Sequence, residues 1–205
     1  CERNNSTTMK ISILRRLFKM FGIDASELVF YLRDEDESSV GEDVAGSRDD
    51  VRRKYWTFAL EYIHKAHHEK GSFSNVHTSK KNWISGFFGV SGFNICCVAN
   101  GDFARVAIYM GNARKEYNKA AYDKLMLFKE KIENDMGVSL IWKRGDDVKS
   151  SKVYYEIRNV SIENETDWIQ MAKFHAEWSK KFYDVIVPYL LTSSVSNPSA
   201  SSSNP

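Results

Sequence analysis

No apolar run in the chain approaches the roughly 18 residues that a membrane-crossing helix needs. No secretory signal peptide is visible either. Cysteine is scarce: there are three, Cys1, Cys96 and Cys97, an odd count with two adjacent, so no disulfide framework can be drawn. A cytoplasmic location with no membrane partner is therefore the expectation, and the sequons at Asn5 and Asn164 are read as chance matches. Net charge is small as well, at +2, too near zero to name a partner. Its distribution says more. Residues 1–50 carry 7 basic and 11 acidic side chains, a net of −4, which leaves 22 basic and 16 acidic, a net of +6, in the rest. A mildly basic body tolerates polyanions without proving that it binds them. The first Met is Met9, and the opening at Cys1 is read as a cut through a longer protein rather than a natural start.

What the chain has in quantity is aromatic residues, 13% of its 205 positions. They supply large buried area at low side-chain entropy cost, so one packed domain is expected. Composition divides the chain into a short helical leader (1–32), an acidic flexible linker (33–50), an α+β body (51–191) and a disordered Ser/Asn/Pro tail (192–205). In the leader, Ile13, Leu14, Leu17 and Phe21 have helical spacing, and Asp24 with Glu27 resembles a capping box before a second helix through Leu32.

The body opens with an amphipathic helix over 52–70, its apolar face made by Trp56, Ala59, Leu60, Ile63 and Ala66, and Gly71 suits its C-cap. Strands are predicted over 83–90, 93–99 and 103–110, separated by Ser91-Gly92 and Asn100-Gly101-Asp102; Asn-Gly suits a turn with positive φ. A helix over 114–136 follows, with Ala121, Leu125, Phe128 and Ile132 on one stripe and Gly137 closing it. Two more strands, 138–143 and 152–160, flank a polar turn, and a final helix from Asn164 buries Trp168, Met171, Ala172, His175, Trp178, Phe182, Val185 and Ile186 before Pro188 disrupts it. The order α-β-β-β-α-β-β-α with short connections predicts a largely antiparallel five-stranded sheet with helices packed on it.

That strand order invites comparison with PD-(D/E)XK nucleases, which hold a divalent metal on an Asp and a Glu-x-Lys from neighbouring strands. The strands over 93–98 and 105–110 contain no carboxylate. The nearest substitute is Asp146 or Asp147 with Glu156-Ile157-Arg158, so no catalytic residue is assigned and an enzyme is not expected. His64, His67 and His68 have helical ligand spacing, but no Glu or Cys pair accompanies them; they are read as surface histidines, and no metal or cofactor is expected. His175 is read as a satisfied core histidine, and Cys96-Cys97 as buried, structural thiols pointing to opposite faces of a strand. Gly86, Gly89 and Gly92 match no phosphate loop. Cations interleaved with aromatics give the one functional pattern. Lys80 and Lys81 precede Trp83; Arg105 and Tyr109 share a strand face with Phe103; Lys143 and Arg144 adjoin Trp142; Arg158 follows Tyr154. Such side chains can neutralise phosphates and stack bases, so they are the candidate DNA or RNA contacts.

The body also resembles a family catalogued as a domain of unknown function, number four-two-six-eight. The likeness runs through Tyr55-Trp56, Ser91-Gly92, residues 105–109, Asn118, Tyr122-Asp123-Lys124-Leu125, Lys129, Ile132-Glu133, Gly137, Trp142, Trp168 and Trp178. The resemblance implies a bacterial or archaeal module, often C-terminal to a PD-(D/E)XK-like nuclease domain and without established catalytic residues. The functional expectation is a non-catalytic accessory domain of a DNA-processing or defence-type protein that binds nucleic acid weakly and without sequence preference. A divergent nuclease acting alone and a pure protein-interaction module are the alternatives.

Overall fold

The structure, a computed structural model, describes residues 42–67 and 72–191, with side chains from residue 47 onward. The expected leader helices, residues 33–41 of the expected linker, the Gly71 cap and the tail lie outside the described residues.

Among the described residues five strands form one sheet: β1 (Trp83–Phe87), β2 (Phe93–Ala99), β3 (Phe103–Met110), β4 (Ile141–Lys143) and β5 (Ser151–Arg158). Their spatial order is β1-β2-β3-β5-β4 and every pairing is antiparallel, as the short connections predict. The β2–β3 turn falls on Asn100-Gly101 as expected, closed by the Asn100 amide donating to the Phe103 carbonyl at 2.9 Å. The left-handed residue is elsewhere. Gly92, before β2, has φ +76, and a Cβ there would lie 2.4 Å from Asn112 Cα, so both backbone angle and space demand glycine.

All described helices lie on one face of the sheet. The first, α1 (Glu42–His67), begins about ten residues earlier than its apolar stripe predicts, so residues 42–50 are helical rather than linker. The acidic side chains there serve a solvated helix face: Asp50 pairs with Arg53 at 3.4 Å, and Asp49 with Lys80 at 3.5 Å. The predicted helix over 114–136 is two helices, α2 (Lys115–Met126) and α3 (Lys129–Met136). Phe128 takes φ −112, ψ 12, leaves the stripe and stacks on Tyr189 at 5.0 Å, so it is 38% exposed rather than core. Gly137 ends α3 in the left-handed conformation at φ +69. The last long helix, α4 (Trp168–Val185), is followed by the short α5 (Val187–Leu191), the break falling at Ile186 just before Pro188.

The core fills the space between these helices and alternate residues of the strands: Ile95, Cys97 and Ala99 of β2, Val106, Ile108 and Met110 of β3, and Val153 of β5. Trp56 and Leu125 are fully buried in it, while Trp168 and Trp178 pack against it partly buried. Cys97 faces this core and Cys96 the opposite face; both are buried, and desolvation holds the Cys97 thiol pKa well above its ordinary value.

Two histidines stitch α1 to α4. His175 is fully buried, as its stripe position predicts; its Nε2 lies 3.0 Å from the Val98 carbonyl and its Nδ1 2.8 Å from the Tyr55 hydroxyl. A carbonyl only accepts, so Nε2 carries the proton and, in the neutral ring, Tyr55 donates to Nδ1. His67, expected on the surface, is instead buried, with Nε2 2.9 Å from Ser179 Oγ. Burial lowers both imidazoles to about 4, helped at His67 by the Lys180 charge.

Both folded values lie below the free imidazole value of about 6.5. The unfolded chain therefore binds protons that the folded chain refuses as pH falls from about 6.5 towards 4. Stability is full above this window and declines within it, with His175 alone accounting for about 3 kcal/mol across it. Urea unfolding between pH 7.5 and 4 should show this loss, and His175→Gln should reduce it, leaving the His67 share, while lowering stability at neutral pH. A pH-independent midpoint in the wild-type protein would contradict the assignment.

Candidate functional site

Strand register decides which side chains share the helix-free side of the sheet. The pairs Phe103↔Arg158, Arg105↔Glu156, Ala107↔Tyr154 and Tyr109↔Lys152 put two rows of β3 and β5 on one face, opposite to Val106 and Val153. The pairs Val98↔Arg105, Cys96↔Ala107 and Asn94↔Tyr109 extend that face across β2. Trp83 and Ser85 continue it on β1, and Ile141 and Lys143 on β4. Among the described residues no helix lies over this face. Its middle is nonetheless tight, with Phe103, Ala107, Cys96 and Tyr154 all buried.

Arg105 lies between two rings, 4.4 Å from the centroids of Phe103 and Tyr154, and directs Nε and a terminal nitrogen to Glu156 Oε2, both at 2.9 Å. The other oxygen of Glu156 accepts from Arg158, at 2.8 Å from Nε and 2.5 Å from a terminal nitrogen. Arg158 also reaches Asp102 at 3.2 Å and sits 5.5 Å from the Phe103 centroid. Burial pushes the Glu156 carboxyl up, but the hydrogen bonds from Arg105 and Arg158 outweigh it and hold the group below the usual carboxylate range. Lys143 lies over Tyr154 at 5.9 Å, and Lys81 over Trp83 at 5.1 Å. Of the sequence-predicted contacts, Arg105, Tyr109, Lys143 and Arg158 thus come together on one face, with Lys81 beside it. Lys80 is turned to Asp49 on α1. Arg144 lies in the β4–β5 turn, bound to Asp123 at 2.7 Å and 2.9 Å and to Asp146.

The nuclease substitute is not assembled. Asp146 and Asp147 lie in the turn before β5, whereas Glu156 stands five residues into that strand, about 17 Å along it at the usual rise. Glu156 is committed to two arginines, and Asp146 to Arg144. Among the described residues no three His, Cys, Asp or Glu side chains cluster in a way that would hold a metal.

Two buried polar residues that composition and motif do not single out as chemistry hold the β4–β5 turn. Asn118 is fully buried: its Oδ1 accepts from the Asn112 amide at 2.8 Å, and its Nδ2 donates to the carbonyls of Asn112 and Lys149. Lys119 is buried too, its ammonium enclosed by the carbonyls of Arg144, Gly145 and Ser150 at 2.6–2.7 Å and Ser151 Oγ at 3.1 Å. Desolvation and the Lys115 charge lower its pKa. Together they fix the turn that presents Lys143. The signal was in the spacing, since Asn118 stands three, four and seven residues before the buried Ala121, Tyr122 and Leu125. Lys119→Met should cost about 2–4 kcal/mol in urea unfolding, because several buried acceptors lose their donor. The exposed Lys115, which donates to one carbonyl at 2.7 Å, should cost under about 1 kcal/mol when changed to Met.

Three tryptophans fix other loops in the same way. The indoles of Trp56, Trp142 and Trp168 donate to the Lys81 carbonyl at 2.7 Å, Glu133 at 3.0 Å and the Ile162 carbonyl at 2.7 Å. Glu133 also accepts from the Leu140 amide at 2.8 Å, and Tyr122 meets Trp142 edge-on. No curated protein and no solved structure matches the chain. One family model does, described as "Domain of unknown function (DUF4268)", over residues 51–190. With well over half its length matched, the chain belongs to this family of domains of unknown function.

Proposed function

We propose that the domain is a non-catalytic accessory module that engages nucleic acid, single strands above all, through the helix-free face of its sheet. One observation carries the reading. That face sets Arg105, Lys143, Lys152 and Arg158 against a single strand carboxylate, Glu156, and interleaves them with Trp83, Phe103, Tyr109 and Tyr154. Cations neutralise phosphates, and the half-buried rings of Trp83 and Tyr109 at the margin offer faces on which bases can stack without selection among them. The family resemblance favours a DNA-processing or defence-type protein as the setting, with an upstream nuclease domain supplying the chemistry. A protein-interaction role is the second reading, favoured by the apolar corner between α2 and α3, where Leu127 is 80% exposed beside Met126 and Phe128.

Fluorescence anisotropy with labelled single- and double-stranded oligonucleotides, titrated against the full chain at low and moderate salt, tests the proposal. Affinity should fall as salt rises, and single strands should bind more tightly than duplex. Lys143→Ala should weaken binding to all sequences alike and reduce the log–log salt slope by about 0.7 on single strands. Absence of binding at low salt would overturn the reading and leave the protein-interaction role. Incubation with Mg²⁺ or Mn²⁺ should leave DNA and RNA intact; cleavage abolished by Glu156→Ala would replace it with the nuclease reading.

A further inference from the structure

We infer that the Glu156 carboxylate occupies an anion-binding fork, made by Arg105 and Arg158, that is shaped to take a nucleic-acid phosphodiester in its place. The inference rests on the proposed nucleic-acid reading and names the regulation of that same face.

The geometry is that of a ligand already seated. Glu156 uses one oxygen for each guanidinium and receives four N–H donors at 2.5–2.9 Å. A guanidinium edge fits phosphate oxygens as well as it fits a carboxylate, and a phosphodiester carries the same single negative charge. Glu156 stays tethered to β5 with its side chain only 8% exposed, so a phosphate must turn it aside to take its contacts. The fork also has support besides Glu156. Both guanidiniums lie near the Phe103 ring, Arg105 at 4.4 Å and Arg158 at 5.5 Å, and Tyr154 backs Arg105 at 4.4 Å. The two arginines differ in how readily they can turn to a ligand. The Arg158 side chain is 58% exposed and that of Arg105 13%, so Arg158 is the mobile arm and Arg105 the fixed one. Asp102, itself 68% exposed, holds Arg158 a second time from the β2–β3 turn. The acid thus competes within the molecule, and lowers affinity by the free energy of its own ion pairs.

The test is anisotropy of a fluorescein-labelled oligothymidylate with the full chain carrying Glu156→Gln, Asp102→Asn or, as an off-face control, Glu163→Gln. Glu156→Gln should tighten binding by about three- to tenfold, an effect that corresponds to one released charge-assisted contact. Asp102→Asn, a change confined to an exposed turn, should tighten it in the same direction by less. The gain from Glu156→Gln should vanish when Arg158→Ala is added, because the contact it releases is made by that arginine. Circular dichroism checks that each variant is folded; if Glu156→Gln is not, Asp102→Asn with and without Arg158→Ala carries the same comparison. Wild-type binding that the folded variants leave unchanged or weaken would overturn this inference while leaving the nucleic-acid reading in place. An equal gain from Glu163→Gln would also overturn it, since the effect would then be one of net charge. Failure of every variant and the wild type to bind would remove both.

Discussion

The neutral imidazole of His175 joins three parts of the molecule at one point. It accepts a hydrogen bond from Tyr55 on α1, donates one to the Val98 carbonyl on β2, and belongs itself to α4. The two long helices pack along each other over the sheet, and this hydrogen-bonded ring fixes their register at the centre of the core. The Trp56 ring lies 5.4 Å away and its indole is anchored in turn to the Lys81 carbonyl, just ahead of β1. Everything on the far side of the sheet depends on this frame, because strand register alone decides which cations and rings look outward. A buried polar group that keeps both its bonds specifies one arrangement; the same group with a bond lost would cost more than a plain apolar residue.

Three tryptophans and their polar partners describe a scaffold. Three indole nitrogens, one buried amide and one carboxylate each satisfy a backbone or side-chain group at the mouth of a loop. Such positions tolerate few replacements, since an apolar substitute would strand a partner and a larger one would not fit. The cations of the helix-free face are under no such restraint except where they are paired. Fold and surface are therefore separable in this domain: one set of residues holds the shape, and another decides what the shape meets.

Much of the fold was legible in the chain because period-two and period-3.6 apolar patterns report burial directly. The three strands of the first meander, the His175 position and the stripe of α4 follow from them. Three things did not. The start of α1 was hidden because charged residues with no apolar partner read alike in a linker and in a solvated helical turn. The break at Leu127-Phe128 carries no glycine or proline, and only the Tyr189 ring, sixty residues on, explains why Phe128 leaves its stripe. The burial of His67 depends on Ser179 from a distant helix in the same way. At the surface, the sequence showed which cations neighbour which rings along a strand, but not the cross-strand pairing of Arg105 with Glu156. A separation of fifty-one residues leaves no trace in local spacing.

The two margins of the sheet bear on how the protein behaves when crowded. A sheet end presents unpaired amides and carbonyls to any other chain that can lie alongside. Here one end is β4, three residues long, with Lys143 at its tip and the Asp123-bound Arg144 beyond. The other is β1, five residues with Gly86 near its middle. Among the described residues neither margin gives the long, flat, apolar row on which edge-to-edge stacking propagates.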